Sequence, residues 1–422
     1  MMIRCTRITL TLLCMLTVAC LSGTAAATSL GTIWTDNPYT GAPFTDVTFT
    51  KNDSFVLAGG DQMLFRSWTG DLRWGGRAGT YSAMTGDGRY IVTALGNAIV
   101  LYDNKGHDMW SRSMDGQVRG VAIAKDGSLV VSIDDKGNYN TWAFNGEFVG
   151  RNTSDLVKKV AVSPKDNMIV VTTEAGMRFF TPVLSPVWVD NRSGSLDELI
   201  AISDDGSTII TAGGTRLSSH TSTGRLNWMA DVSENAIIDM ACNYDCSVIV
   251  VGSQDSNVQA IDRYGKSHWK FRTGGQWAKA VGVSDDGSII AAGSNDGTVY
   301  VLTRSGSLLT QKKMDDSIQS RALAVSHGGD RIVVADAKKL YGLDVLGDDV
   351  PGVMETFTPQ PLNPVKRTTT PATLVPATVV ETESPQETPA PPTETPTRKS
   401  PAGVLLVPGA LTAAALLMMR RK

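Results

Sequence analysis

The chain has 422 residues, a formal net charge of −3 and nearly balanced acids and bases, with an isoelectric point near 5.9. That charge offers no basic face for nucleic acid. The apolar content is that of an ordinary globular chain, long enough to bury a large single domain.

At the start, Arg4 and Arg7 precede an apolar stretch from Ile8 to Ala19, and Ala25-Ala26-Ala27 follows as a small-residue cleavage site. This is the pattern of a secretory signal peptide covering residues 1–27. Cys20 is the candidate for lipid attachment, but Leu16 stands one position out of place for that signal.

From about Thr45 to Gly347 one pattern recurs eight times: an alternating apolar run, a tight turn, a Val/Ile-rich run, a second turn, and a strand often carrying Trp. The clearest copy runs from Val281 to Gly306. The first turns are Lys51-Asn52-Asp53, Gly86-Asp87-Gly88, Lys125-Asp126-Gly127, Lys165-Asp166-Asn167, Asp204-Asp205-Gly206, Tyr244-Asp245-Cys246, Asp285-Asp286-Gly287 and His327-Gly328-Gly329. They lie roughly 35 to 42 residues apart, the length of a four-stranded blade. Runs such as Ile289-Ile290-Ala291-Ala292 and Val299-Tyr300-Val301-Leu302 have the β-branched and aromatic content of strands covered on both faces. The fold class is therefore all-β: an eight-bladed β-propeller over residues 28–350, with seven blades as the alternative because the first copy is short and the fourth contains Pro182 and Pro186.

The last copy stops at Gly347 without an outer strand, and Ser29-Leu30-Gly31-Thr32-Ile33-Trp34 has the form of the missing one. The N-terminal strand is expected to complete the eighth blade and remove the exposed edge of an open ring.

Residues 351–400 form a Thr/Pro-rich stalk; from Thr356 to Ser400 about half the residues are Thr or Pro. Residues 356–400 extend to at most about 140 Å. Residues 401–419 carry no charge and would span about 29 Å as a helix, close to a bilayer core. Arg420-Arg421-Lys422 then marks a cytoplasmic end, leaving the propeller outside. The basic end argues against a glycolipid anchor. The stalk, the apolar span with Pro408-Gly409 inside it and the basic end resemble the C-terminal sorting signals of archaeal surface proteins, so a processed tail stands beside a retained transmembrane helix.

Within the repeats, Gly lies four residues before Trp at Gly70/Trp74, Gly106/Trp110, Gly224/Trp228 and Gly265/Trp269; Trp188 keeps the position without the Gly. These segments resemble the pyrroloquinoline-quinone-type and WD-repeat-like propellers of secreted prokaryotic proteins. The resemblance implies that Trp34, Trp74, Trp110, Trp188, Trp228 and Trp269 dock neighbouring blades. Trp68, Trp142 and Trp277 fall outside that position and are the better candidates for exposed contacts, with partial burial expected for each.

Quinone enzymes of that family hold calcium through carboxylate and amide groups and commonly place a vicinal Cys pair near the cofactor. This chain has no adjacent cysteines and no long insertions, so no cofactor and no metal are expected. Asp204-Asp205 and Asp285-Asp286 read as turn formers rather than calcium ligands. The four histidines, His107, His220, His268 and His327, have no metal-type spacing, and no compact catalytic motif is present, so no catalytic residue is assigned.

Three of the five cysteines lie in the leader, leaving Cys242 and Cys246 on either side of the sixth turn. A pair flanking a tight hairpin can reach disulfide distance in an oxidising compartment; a free buried pair is the alternative. Asn52, Asn152 and Asn191 head N-glycosylation sequons near turns or loops. These features together describe a membrane-anchored cell-surface binding or scaffolding module for protein or glycan, with an enzyme at the central funnel as the other class.

Overall fold

The structure is a computed structural model; it describes residues 29–345 apart from 38–41, 61, 77–80, 155–156 and 192–198. The leader, the stalk, the apolar span and the basic end lie outside the described residues.

Eight four-stranded antiparallel sheets follow one another. Blade 1 spans residues 44–76, blade 2 82–113, blade 3 118–153, blade 4 157–190, blade 5 199–231, blade 6 237–272 and blade 7 278–313. Blade 8 takes three strands from residues 318–344 and its outermost strand from Gly31–Asp36. Its register runs Thr32↔Leu343, Trp34↔Gly342 and Asp36↔Leu340. The count is eight, and the ring is closed by the first strand of the described chain.

Every blade repeats the same turn chemistry. The third residue of the first hairpin turn has positive φ in all eight: Asp53, Gly88, Gly127, Asn167, Gly206, Cys246, Gly287 and Gly329. Glycine meets that requirement without Cβ strain, and Asp and Asn tolerate it. In blade 7, Ser284 Oγ donates to Asp286 Oδ1 (2.7 Å) and accepts from Ile289 N–H (3.1 Å), which pins the hairpin. Blade 5 repeats this with Ser203, Asp205 and Thr208.

The hydrophobic core is divided among the seams. Eight clusters are present among the described residues, one for each pair of neighbouring blades. Middle strands such as Leu129–Asp134 and Val248–Ser253 are buried along their whole length, while outer strands such as Ser267–Arg272 alternate with solvent. Stacked flat sheets bury both faces of their central strands, which is why these read as unbroken apolar runs. The seams of blades 1/2 and 4/5 have the smallest clusters, with four fully buried members each.

Candidate functional site

The tryptophans identified in the repeat sit at the seams. Each lies on the outer strand of one blade and packs on the positive-φ glycine of the next blade's last turn: Trp34 on Gly70, Trp74 on Gly106, Trp110 on Gly146, Trp188 on Gly224, Trp228 on Gly265 and Trp269 on Gly306. Five of the six indoles also donate Nε1–H to the carbonyl two residues before that glycine, as Trp110 does to Phe144 O at 2.8 Å and Trp188 to Ser222 O at 2.9 Å. Trp74 packs in the same way, but its Nε1 makes no hydrogen bond among the described residues.

The two blades without this Trp are informative. Blade 3 has Gly150 there, and blade 4 has buried Leu184, at φ +61°, in place of the receiving glycine. A Cβ on Gly150 would lie 3.1 Å from Val183 O, so bulk has moved from one side of the seam to the other. Blade 7 has Thr310, and its neighbour, blade 8, has no turn before its outer strand because that strand comes from the N-terminus.

Of the three tryptophans outside this position, Trp277 is exposed (48 %), whereas Trp68 and Trp142 are buried (9 % and 7 %). Partial burial is the expectation for each, and for these two burial is nearly complete, so neither is a candidate for exposed contact. Trp68 packs edge-on against Trp34, and Trp142 donates to Ser132 Oγ inside blade 3, so the interior absorbs both rings.

A surface cleft of about 630 Å³ lies between blades 5 and 6. Tyr264, 78 % exposed, and Trp228 supply aromatic surface, and Arg225, Arg263, Asn227 and Ser219 supply polar groups. Arg263 Nη2 donates to Asp245 Oδ2 at 2.6 Å and Asn227 Nδ2 to Ser219 Oγ at 3.3 Å, so the walls are held in place.

The axial channel carries two charged layers. One is formed by the first hairpin turns. Lys51 N–H donates to Gly86 O, Gly86 N–H to Lys125 O, Asp204 N–H to Tyr244 O, Tyr244 N–H to Asp285 O and Asp285 N–H to His327 O, at 2.7–3.2 Å. At the seam of blades 8 and 1 the carboxylate of Asp53 takes over, accepting from His327 N–H at 2.9 Å and Gly328 N–H at 3.2 Å. Asp204 receives Lys125 Nζ at 2.6 Å and Lys51 Nζ at 3.2 Å; Lys51 comes from blade 1, opposite blade 5, so its side chain crosses the mouth. Burial pushes the Asp204 carboxyl up, but the hydrogen bonds from Lys125 and Lys51 outweigh it and hold it below the ordinary carboxylate value.

The second layer lies further along the innermost strands. Asp46 of blade 1 and Asp239 of blade 6 both act electrostatically on Arg321 of blade 8 and on Lys159 of blade 4, and blade 4 neighbours none of the other three around the ring, so the axis brings these groups together. Burial pushes the Asp239 carboxyl up to about 7, and desolvation by the surrounding channel wall pushes that of Asp46, a residue still open to the channel, up to about 6, against the pull of Arg321 and Lys159. Arg321 is delivered by an enlarged bulge: Ile318 pairs with Asp336, and the next pairing is Leu323 with Val334. In blade 6 the corresponding step is one residue, between Ile237 and Asp239. Arg321 takes φ +65° and its Nε–H donates to Ile238 O of blade 6 at 3.1 Å. Bulges and left-handed residues of this kind serve to aim a side chain.

The remaining sequence-marked residues are accounted for. Asp205 and Asp286 cap their own turns, while Asp204 and Asp285 face the channel mouth. Cys242 and Cys246 are joined across the sixth turn with Cα atoms 4.9 Å apart. Asn52 and Asn191 are exposed and Asn152 is half-buried. His220 is fully buried against Asp190 (2.6 Å) and stacks on Trp188 at the seam of blades 4 and 5. Sequence reasoning missed Asp46, Lys159, Asp239 and Arg321. The signal was present: Asp, Lys and Asp occupy the third position of inner strands that hold Gly120 and Ala280 in sister copies.

Comparison with known proteins agrees with this architecture. The PQQ_2 family model, described as outer membrane protein assembly factor BamB, matches residues 181–316. None of the curated proteins matches the chain. Among solved structures, the C-terminal WD40 domain of Sif2 is similar at 16 % identity and a TM-score of 0.65, over 76 % of this chain and 99 % of that one. The Cps50 (Swd1) β-propeller domain of Myceliophteria thermophila is similar at 12 % identity and a TM-score of 0.52, over 75 % and 100 %. At such identities the likeness is one of fold: the chain is an all-β, eight-bladed β-propeller.

Proposed function

We propose that the chain is an exported, non-catalytic binding propeller, displayed outside the membrane by its stalk and C-terminal span, and that it holds a glycan or protein segment in the cleft between blades 5 and 6. The cleft carries the reading. It combines the exposed ring of Tyr264 and the edge of Trp228 with guanidinium, amide and hydroxyl groups on a rigid rim. Amphipathic aromatics beside fixed polar groups are the chemistry of a recognition surface. The leader, the Thr/Pro stalk and the charge-free span support surface display.

The test is capture from cell-surface extract by residues 28–350, with and without Tyr264→Ala and Arg225→Ala. Retention of the same partner by the double variant overturns the reading. The charged layer at the axis, together with the partial match to a quinone-type repeat, favours an enzyme at the funnel as the second reading. Dye reduction by protein loaded with quinone and calcium would establish it.

A further inference from the structure

We infer that the channel mouth at the first hairpin turns is a binding site for an alkylammonium or alkylguanidinium group, and that the chain's own Lys51 now occupies it. The inference concerns a different place from the rim cleft and does not depend on it.

Three observations carry it. First, the Lys51 ammonium is seated as a ligand would be: Nζ lies 3.2 Å from Asp204 Oδ2 and 5.7 Å from the centre of the Tyr244 ring, after crossing the mouth from the opposite blade. A carboxylate and a ring face around an ammonium form a cation cage. Second, the cage holds more negative charge than its fixed cation balances. Lys125 pairs with Asp204 at 2.6 Å, and the His327 ring is taken by Asp53 at 2.8 Å. The Asp285 carboxylate makes no hydrogen bond or ion pair among the described residues, and burial holds it above its ordinary value. With Lys51 in place the four groups Lys51, Lys125, Asp204 and Asp285 balance; with Lys51 withdrawn, one negative charge is left over. Third, the cage residues Lys51, Asp204, Tyr244 and Asp285 line a cavity of about 310 Å³ together with Met84, Ile202, Val283 and Val325, so a cation held there has apolar side chains as well as polar groups beside its stem. The Lys51 side chain is 54 % exposed, so its exchange for another cation is not held back by burial.

The mouth therefore selects a positive head on an apolar stem, the chemistry of a small amine or of a partner's Lys or Arg side chain. Tyr244 is placed by the turn that Cys242 and Cys246 flank, so the cage geometry depends on that hairpin.

The experiment titrates the full chain near neutral pH and low salt with n-butylammonium, n-butylguanidinium and a blocked Gly-Lys-Gly peptide, by calorimetry. Lys51→Ala is expected to bind at least one cation about tenfold more tightly than wild type, and Asp285→Asn on that background to abolish the gain. Binding should weaken as pH falls and Asp285 takes up a proton. Lys51→Gln, which keeps the stem, serves if Lys51→Ala lowers the melting temperature. Preference for the free cations identifies a small-molecule ligand, and preference for the peptide a protein-borne one; either supports the site. No binding by either Lys51 variant, or binding indifferent to Asp285→Asn, overturns it.

Discussion

Removing one member of the ion pair that fastens the ring shut tests the closure at a single atom group. Arg66 of blade 1 has a side chain only 2 % exposed; it pairs with Asp36 at the end of the closing strand, donates to Gly70 O and lies over the Trp34 ring at 4.0 Å. Asp36→Ala leaves a guanidinium buried at the seam of blades 8 and 1, and breaking a buried pair in this way costs about 3–5 kcal/mol. About 300 ordered residues at about 2.1 cal/mol/K each give an unfolding entropy near 0.6 kcal/mol/K, so the midpoint should fall by about 5–8 °C. Arg66→Met together with Asp36→Leu removes both charges and should recover most of the loss, because an apolar pair of similar bulk needs no desolvation. Deleting residues 28–36 removes Trp34 as well and should lower the melt further. The assay is thermal unfolding followed by near-ultraviolet circular dichroism. A shift below about 2 °C for Asp36→Ala, or an unchanged melt on deletion, refutes the closure argument.

Other predictions concern the seams, the axis and the cysteines. At the seam of blades 6 and 7, Gly306→Ala places a Cβ 2.5 Å from Trp269 Cδ2 at φ +82° and should cost about 1–3 kcal/mol in urea unfolding. At the blade 3/4 seam, Gly150→Trp alone should destabilise, and adding Leu184→Gly should restore at least about 1 kcal/mol; strictly additive effects would show that the two sites do not share one space. Asp239 titrates in the unfolded chain near 3.8 and in the fold near about 7, so the folded state holds a proton that the unfolded chain releases between those values. Its contribution to stability is full below the unfolded value and lost as pH rises through the folded one. Asp239→Asn should therefore be more stable than wild type at about pH 8 than at about pH 4, by on the order of 2 kcal/mol, and equal pH slopes would refute the placement. Thiol counting in denaturant should find no free thiol from Cys242 and Cys246, and two would exclude the bridge.

Much of the ring was legible because its requirements are local. A positive-φ position after an Asp or Asn fixes the first hairpin of a blade, and Gly four residues before Trp marks the last one; both recur at a spacing that only one architecture absorbs. Even the closing strand was readable, since Trp34 has the form of the other outer strands and the last copy lacks one. The depth at which Trp68 and Trp142 are buried was not readable, because it depends on Trp34 of the closing strand and on Ser132 of a neighbouring strand, which only the folded blades bring beside them.

The charges on the axis mark the division between chain and fold. Asp46, Lys159, Asp239 and Arg321 are separated by up to hundreds of positions, and although the first three share one position of the inner strand, nothing in a single copy shows which of the others they will meet. Lys51 and Asp204 likewise read as ordinary turn residues until opposite blades bring them together. By itself the sequence determined the repeat, its turns and most of its seam tryptophans, and left the count at eight or seven, because backbone conformation and side-chain bulk act between near neighbours. Which charges meet was decided only by tertiary structure, because electrostatic contact depends on distance through space, and closing the ring gathers on one axis groups that the chain keeps far apart.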